Sequence, residues 1–376
     1  MKVVIAAAGT GGHINPGIAI ANKIKEQEKD SEIIFIGTSR GLENDLVPRA
    51  GYELKKIRAY GIERKLTLQN IKRLYFTISS IGEAKKILRE FKPDVVIGTG
   101  GYICMPVIIA ANKLKIPTML HESNAFPGVS VKLLSKKVDT VMLGFEDAKE
   151  RLPNAKNVVV TGNPTKIKKH EFTEDERKNI ILSMGLKPDK PIVLAFGGSQ
   201  GAKSINESLL DIIINNRNKD YQIMWAAGPL QYENIKNSLK ERKIDIDNME
   251  NTKIVPYIYN MEEIINVVDL VVCRSGAMTI TEISIVGKPA IFIPFPFATE
   301  NHQEYNARVL EKVGAAKIII DKDLNYEILE REIEDIVKDK RKIKEMSQKA
   351  NSRAIGNVEE KIYKEIEKII KKWYWL

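Results

Sequence analysis

The residues best suited to chemistry lie where an apolar run changes abruptly into a helical pattern. The run at residues 271–273 is followed by Arg274-Ser275-Gly276, and the helical pattern begins at once. A helix N-terminus carries unpaired N–H groups and partial positive charge, which together bind phosphate groups. Glu282 lies about two turns into this helix, where its carboxylate can accept two hydroxyl groups of a ribose. Taken alone, the stretch also fits an ordinary turn with a solvated glutamate.

Three other apolar runs end in glycine-rich loops, a pattern typical of phosphate binding. After the first loop we predict a helix with Asn15 as its N-cap, Pro16 as its first residue and an end near Glu28. A dinucleotide site is disfavoured, because the dinucleotide-binding pattern Gly-x-Gly-x-x-Gly needs glycine at residue 14, where this chain has Ile. The loops are Gly9-Thr10-Gly11-Gly12-His13, Gly98-Thr99-Gly100-Gly101-Tyr102 and Gly197-Gly198-Ser199-Gln200-Gly201.

A polar tetrad, His121-Glu122-Ser123-Asn124, ends the strand predicted at residues 116–121. Ligands of open parallel α/β sheets bind at the carboxyl ends of the strands. The tetrad and the first two glycine loops should therefore converge at one edge of a sheet.

The elements that position these residues are strands alternating with helices in both halves of the chain. This alternation predicts two doubly wound α/β domains. We place the boundary at Gly162-Asn163-Pro164, which gives domains at 1–163 and 164–355. Residues 356–376 form a basic helix and tail that either cross back to the first domain or touch a membrane.

Composition limits the class of protein. A chain of 376 residues with 43% hydrophobic residues suits two soluble globular domains. The net charge of +10 favours an anionic partner, such as a phosphorylated substrate, an acidic membrane surface or a nucleic acid. Cys104 and Cys273 should be buried free thiols, and no Cys or His cluster has metal-ligand spacing. Without a run long enough to span a bilayer, the chain is expected to be cytoplasmic and at most peripherally attached.

A helix predicted at residues 70–90 has basic residues at its start, where they oppose the helix dipole. One interpretation is a membrane-surface patch, with cations facing acidic lipid and apolar side chains making contact. The other is a core-facing stripe with solvated charges. The residues concerned are Arg64, Lys65, Lys72 and Arg73, with Leu66, Leu68 and Phe76.

Read together, the motifs resemble those of the MurG family in one order along nearly the whole chain. Besides the loops and the tetrad, they include Gly162-Asn163-Pro164, Cys273-Arg274-Ser275-Gly276-Ala277 and His302-Gln303 with Asn306-Ala307. The resemblance implies a GT-B fold, with two Rossmann-like doubly wound domains and an inter-domain cleft. It implies inverting transfer of N-acetylglucosamine (GlcNAc) from UDP-GlcNAc to the 4-hydroxyl of N-acetylmuramic acid in lipid I, which gives lipid II for peptidoglycan. It implies no cofactor and no metal.

The resemblance also implies site residues, in a donor domain at 164–355 and a membrane-associating acceptor domain at 1–163. Ile258 and Met261 lie near the uracil, Glu282 binds the ribose, and Gln303 and Asn124 hold the sugar. The donor residues are Thr10, Gly11, Gly12, Asn124, Lys166, Ser199, Ile258, Met261, Ala277, Met278, Thr279, Ile280, Thr281, Glu282 and Gln303, and the acceptor residues are Gly11, Gly12, Gly100, Gly101 and Tyr102.

Two positions depart from the family pattern. Lys166 stands where the family often has Arg, so a bidentate grip on the diphosphate is replaced by a point charge. His302 stands where some members have Gln, which leaves a sugar contact there open.

The catalytic base is assigned to His13, with Glu122 as the competitor. A histidine of near-neutral pKa beside the acceptor loop suits proton removal from a sugar hydroxyl. An orienting role for His13 is the alternative. Tyr102 is equally compatible with acceptor contact and packing, whereas His121 and Arg274 are expected to make structural hydrogen bonds.

Other functions remain as alternatives. A UDP-GlcNAc epimerase or another glycolipid glycosyltransferase shares the implied fold, and a non-catalytic UDP-sugar-binding protein would need only the donor half. Two glycine loops in the acceptor half, with His13, Glu122 and Asn124, favour the transferase. Nucleic-acid binding is disfavoured, because no recognition motif or basic and aromatic platform is present.

Overall fold

A computed structural model describes residues 1–60, 68–198 and 200–374. The chain divides into two compact units. The first unit comprises Met1–Thr165 and Ile355–Leu376, and the second comprises Lys166–Ala354.

The described residues of the first unit form a seven-stranded sheet with all neighbouring strands parallel, in the order β3-β2-β1-β4-β5-β6-β7. Its strands are β1 (Lys2–Ala6), β2 (Glu32–Gly37), β3 (Glu53–Lys56), β4 (Val95–Gly98), β5 (Thr118–Glu122), β6 (Thr140–Leu143) and β7 (Val158–Val160). In its N-terminal segment, Met1–Thr165, the α-helices are α1 (Gly11–Gln27), α2 (Glu43–Arg49), α3 (Leu68–Phe91), α4 (Cys104–Lys113) and α5 (Val129–Leu134).

The core of the first unit lies on both faces of this sheet. Val4 and Ala6 of β1 belong to one buried apolar cluster, and Val3 and Ile5 belong to another. Successive side chains of a strand point to opposite faces, so both faces are covered by helices. This burial explains why the strands are continuous apolar runs rather than alternating patterns.

The described residues of the second unit form a six-stranded parallel sheet in the order β10-β9-β8-β11-β12-β13. Its strands are β8 (Ile192–Phe196), β9 (Gln222–Ala226), β10 (Thr252–Val255), β11 (Leu270–Cys273), β12 (Ala290–Phe292) and β13 (Ala316–Ile318). Its helices are α6 (Glu174–Ser183), α7 (Lys203–Ile214), α8 (Pro229–Glu241), α9 (Met261–Val267), α10 (Ala277–Val286), α11 (His302–Glu311), α12 (Tyr326–Val337) and α13 (Lys340–Asn351).

The last helix, α14 (Val358–Tyr374), packs on the first unit. Ile362 and Ile366 are buried in the same apolar cluster as Val3 and Ile5. The Tyr363 hydroxyl donates to Glu28 Oε1 over 3.0 Å. The C-terminal helix is therefore part of the first unit's core, although the second unit precedes it in the chain.

Each sheet reverses its strand order at its first strand, as Rossmann-like sheets do. In the first unit the reversal lies between β1 and β4, and in the second it lies between β8 and β11. Loops at such points diverge and leave a crevice for a ligand. The glycine loops at residues 9, 98 and 197 follow β1, β4 and β8, so they stand at these crevices.

The sequence prediction differs from the structure at two elements, because one helix start is wrong and one strand was missed. Helix α1 begins at Gly11 with Thr10 as its N-cap, and Pro16 lies inside it. The glycines adopt helical geometry despite their low propensity, so the helix starts before the Asn-Pro signal. Strand β3 was missed because Glu53, Lys55 and Lys56 are polar residues of an edge strand.

The membrane-surface prediction at Arg64, Lys65 and Leu66 lies outside the described residues. Within the part of the chain that the structure describes, no helix has both the length and the apolar character needed to cross a membrane.

Candidate functional site

His13 packs against the second glycine loop of the first unit. A Cβ atom added to Gly100 would lie 2.6 Å from His13 Cδ2, and one added to Gly101 would lie 3.2 Å from Nδ1. Both glycines also have positive φ, at +107° and +80°. Only residues without a side chain allow the imidazole this close to the loop, and His13 itself stays half-exposed.

Hydrogen bonds hold the two loops of the first unit together. Thr99 Oγ1 donates to the carbonyl oxygen of His13 over 2.7 Å, and the Thr99 N–H donates to Ala6 over 3.0 Å. Cys104 Sγ donates to the carbonyl of Gly100 over 3.1 Å. Burial raises the pKa of the Cys104 thiol to about 12, so the group remains a neutral donor. The Thr99 contact thus joins the backbone of His13 to the second loop, and the Cys104 contact fixes the second loop internally.

Glu122 organises the loop that contains Asn124. One carboxylate oxygen accepts from the Asn124 backbone N–H at 2.9 Å and from its side-chain Nδ2 at 3.0 Å. The other accepts from the Gly128 N–H at 2.8 Å. Burial raises the pKa of the Glu122 carboxyl, although these donors oppose that shift. Its contacts indicate a positioning role for Glu122.

His121 is fully buried, and its Nε2 lies 3.1 Å from the carbonyl oxygen of Gly162. Burial lowers the pKa of His121 to about 4, which makes the ring neutral and its Nε2–H a donor. This agrees with the expectation of a structural hydrogen bond. The β5 carboxyl end is thereby tied to the end of β7.

Tyr102 packs against the buried cluster of the first unit that contains Val4 and Ala6, and it is partly exposed. Of its two predicted roles, packing is therefore observed. Thr10 and Gly12 are exposed at the start of α1, and Gly11 is half-exposed. The predicted acceptor residues thus share the carboxyl edge of one sheet.

In the second unit, α10 begins directly after β11 at the point where the sheet reverses. Gly276 is the N-cap, and within the described residues no side chain caps this helix end. The first-turn N–H groups of Ala277, Met278 and Thr279 are therefore available to an anion. Helix α10 also contains Glu282, which is half-exposed.

Two residues predicted at this helix are used inside it. The Ile280 N–H donates to the Gly276 carbonyl over 3.0 Å, and the Ile280 side chain is fully buried. Thr281 Oγ1 donates to the Ala277 carbonyl over 3.0 Å. Their polar groups thus face the helix itself rather than its open end.

A cavity of about 660 Å³ lies beside this helix N-terminus, within the second unit. Thr279 and Gln303 line it, together with the third glycine loop and Phe295. Gln303 Oε1 accepts from the Phe295 N–H over 3.0 Å, which fixes the amide. A cavity with a glycine loop, an open helix end and a fixed amide can bind a phosphorylated sugar.

Arg274 anchors the walls of this cavity. Its guanidinium donates to the carbonyl oxygens of Ile293 and Pro294 at 3.0 and 3.1 Å, and to Ser204 Oγ at 3.1 Å. It also pairs with Asp321, at 2.5 Å. These contacts join the turn before α10 to the loop after β12 and to the start of α7, so Arg274 makes structural hydrogen bonds.

Other predicted donor residues lie elsewhere in the second unit. Ile258 is buried in the segment after β10, and Met261 is the first residue of α9. The lining of the cavity beside α10 includes neither of these two residues, and it does not include Glu282. Lys166 is exposed at the start of the unit. Ser199 lies outside the described residues.

Sequence reasoning missed Glu43, which is the first residue of α2 and fully buried. Its carboxylate accepts from the Gly9 N–H at 2.9 Å, at the start of the first glycine loop. The available signal was an acidic residue after the Gly37-Thr38 turn at the carboxyl end of β2.

Both units match family models. Residues 3–143 match the glycosyltransferase family 28 N-terminal domain, and residues 192–365 match the glycosyltransferase family 28 C-terminal domain. A relative from Acetivibrio thermocellus is 44% identical over 99% of each chain. That relative is named UDP-N-acetylglucosamine--N-acetylmuramyl-(pentapeptide) pyrophosphoryl-undecaprenol N-acetylglucosamine transferase.

Solved structures give the same result. The crystal structure of Acinetobacter baumannii MurG is 29% identical, with a TM-score of 0.80 over 98% of this chain and 99% of that one. A putative UDP-N-acetylglucosamine 2-epimerase from Listeria monocytogenes is 16% identical, with a TM-score of 0.67 over 99% of this chain and 97% of that one. The second likeness concerns the fold alone.

The two Rossmann-like sheets and the loops at their reversal points place the chain among proteins with the GT-B fold. Within that class, it belongs to the MurG family of glycosyltransferase family 28.

Proposed function

We propose that this chain transfers GlcNAc from UDP-GlcNAc to the 4-hydroxyl of N-acetylmuramic acid in lipid I, which forms lipid II for peptidoglycan. The observation that carries the proposal is the 44% identity to the named transferase over 99% of both chains. The candidate sites of both units are compatible with this reaction.

The donor half of the reaction needs stabilisation of the UDP leaving group. As the bond from the anomeric carbon to the diphosphate breaks, negative charge develops on the phosphate oxygens. The N–H groups of Ala277, Met278 and Thr279 are preorganised to bind that charge. We assign the ribose to Glu282 and hydroxyl groups of the transferred sugar to Gln303. Lys166 and Ser199 supply additional phosphate contacts in this assignment.

The acceptor half needs removal of one proton from the attacking hydroxyl. We assign this proton to His13, because its half-exposed imidazole lies against Gly100 and Gly101 of the second glycine loop. As the new glycosidic bond forms on the face opposite the departing UDP, the proton passes to the imidazole. Glu122 has three donors in its own loop, so we assign it the positioning of Asn124.

We further propose that the chain attaches peripherally to the cytoplasmic face of the membrane. Besides the basic sequence at 64–73, one surface of the residues that the structure describes supports this view. On α5, Val129 and Leu133 are 46% and 53% exposed and one turn apart. Lys132 lies between them in sequence, with its ammonium 3.7 Å from the Phe126 ring centroid. Exposed apolar side chains beside cations suit an anionic lipid surface.

Vesicle binding tests the membrane part of the proposal. Reversing Lys65 and Lys72 to Glu should weaken sedimentation with phosphatidylglycerol vesicles by about 1 kcal/mol per charge. The matched control reverses Lys236 and Lys240, which are exposed on α8 of the second unit. Equal binding by the two double variants would count against this membrane surface.

The transfer reaction is tested with labelled UDP-GlcNAc and a lipid I analogue with a short soluble chain. Wild-type protein should form the disaccharide product. His13→Ala should lose turnover by about 100-fold or more while still binding UDP-GlcNAc. Glu282→Ala should instead weaken UDP-GlcNAc binding. Normal turnover in His13→Ala would remove the base assignment, and an inactive wild type that binds UDP-GlcNAc would favour a binding protein.

A further inference from the structure

Glu43 is a fully buried carboxylate that connects the ends of two strands in the first unit. It accepts from the Gly9 N–H at 2.9 Å after β1, and from the Thr38 N–H at 3.0 Å after β2. Thr38 Oγ1 also donates to it, at 2.7 Å. Three donors from the protein thus replace the water around this carboxylate.

The chain leaves space for this carboxylate at two glycines. A Cβ atom added to Gly41 would lie 1.9 Å from Glu43 Oε2, and one added to Gly37 would lie 2.8 Å from Glu43 Cγ. Burial raises the pKa of Glu43, but the hydrogen bonds from Gly9 and Thr38 together lower it below its ordinary value. The group is therefore an anion in the folded protein.

The contact fixes how the chain enters the first glycine loop. Gly9 has φ of +96°, its N–H is bound by Glu43, and its carbonyl accepts from the Leu42 N–H at 3.2 Å. Both backbone polar groups of Gly9 are thereby held by the start of α2. Residues 10–13, which follow directly, then take a defined path into α1.

We propose that Glu43 is a positioning residue for the acceptor-side glycine loop. It sets the direction of the Gly11 and Gly12 N–H groups and the place of His13 by holding Gly9. This inference rests on the proposed function, because His13 at the end of this loop is assigned there to the acceptor hydroxyl. The diphosphate, ribose and sugar contacts assigned in the proposed function all lie in the second unit, so loss of the Glu43 charge should lower transfer to the acceptor while UDP-GlcNAc binding stays nearly unchanged.

Glu43→Gln tests this prediction with almost no change in shape. An amide has one acceptor oxygen and one donor nitrogen, so it cannot accept from both Gly9 and Thr38. We expect kcat/KM for the lipid I analogue to fall about 10- to 100-fold, as for an unsatisfied buried donor. The dissociation constant of UDP-GlcNAc should stay within about twofold of wild type.

Glu330→Gln is the matched control. Glu330 is a buried carboxylate of α12 in the second unit, and Arg217 Nε donates to it at 2.8 and 3.0 Å. Glu330 belongs to the second unit and the residues assigned to the acceptor belong to the first, so its variant should keep wild-type kinetics for the lipid I analogue. An equal loss in both variants would overturn the specific role of Glu43.

Variants of Thr38 keep the test decisive if Glu43→Gln does not fold. Thr38→Val removes the hydroxyl donor but keeps the shape, so we expect a smaller loss of kcat/KM for the lipid I analogue. Thr38→Ser keeps the donor and should restore most of the activity. If Thr38→Val and Thr38→Ser lower the melting temperature equally and leave kcat/KM for the lipid I analogue unchanged, then Glu43 only stabilises the fold and the proposal fails.

Amide hydrogen exchange separates this inference from the proposed function. The peptide covering residues 7–14 should exchange faster in Glu43→Gln than in wild type, without any substrate. Faster exchange in Glu43→Gln, found together with a wild-type protein that transfers no GlcNAc, would retain the positioning role and remove the assigned reaction. Unchanged exchange in Glu43→Gln, found together with a wild-type protein that transfers GlcNAc, would remove the positioning role alone.

Discussion

Gly100→Ala is a sharp test of how the second glycine loop positions His13. The added Cβ atom would lie 2.6 Å from His13 Cδ2, which is closer than a Cβ atom approaches another heavy atom in real structures. The positive φ of Gly100, +107°, adds backbone strain of about 1–3 kcal/mol. The imidazole must therefore move away from the loop, or the loop must move away from it.

The magnitude follows from these two costs. A displacement of about 1 Å at a catalytic group lowers a rate by about 100-fold, so kcat for GlcNAc transfer should fall by that factor. The free energy of unfolding of the first unit should fall by about 1–3 kcal/mol from the strain alone. Transfer kinetics and urea denaturation measure the two effects separately.

Gly51→Ala separates strain from displacement. Gly51 lies in the same unit with φ of +84°, and an added Cβ atom would meet nothing within 4 Å. It should therefore lose similar stability while kcat stays near wild type. Gly100→Ala with normal kcat, or Gly51→Ala with an equal loss of kcat, would refute the reasoning that this loop positions the imidazole.

Three further predictions concern stability and the donor cavity. The pKa of His121 is lowered to about 4 in the folded state, so the unfolded state binds more protons between pH 4 and 6.5. Lowering the pH from 6.5 to 4 should therefore remove about 3 kcal/mol of unfolding free energy, measured by urea denaturation. In His121→Gln the urea midpoint should depend less on pH over this range. Burial lowers the pKa of Lys288 to about 8 in the folded state, so the unfolded state binds more protons between pH 8 and 10.5. Raising the pH over this range should increase the unfolding free energy of the second unit by about 3 kcal/mol in urea denaturation, and Lys288→Met should remove this increase. Arg274→Lys loses the planar guanidinium that bonds the loop after β12, the start of α7 and Asp321, so KM for UDP-GlcNAc should rise about tenfold or more. An unchanged KM would show that Asp321 and its neighbours hold the cavity without the guanidinium.

Much of the fold could be predicted from the sequence, because its strands are buried on both faces. Continuous apolar runs predicted β8, β9 and β11 with their observed bounds. The same reasoning missed β3, whose only apolar residue is Leu54, because edge pairing rather than burial makes it a strand. It also misplaced the start of α1, because local signals at Asn15 and Pro16 compete with glycines that become helical within the fold.

The candidate site was predictable only where a motif contains its own contacts. The Glu122 and Asn124 pair lies within one short segment, so their proximity follows from the sequence. Glu43 binds Gly9 across 34 positions, and this contact requires the order of the strands in the sheet. The sequence shows only an acidic residue some positions after the Gly37-Thr38 turn, so the contact of its carboxylate with the first loop appears only in the structure.

The most direct test of the account follows UDP release and product formation in one reaction, with and without the lipid I analogue. We expect one UDP released per disaccharide formed, a new bond of opposite anomeric configuration to that of the donor, and almost no UDP release without acceptor. Conversion of UDP-GlcNAc to an epimer without acceptor, or donor binding with no transfer at all, would contradict it.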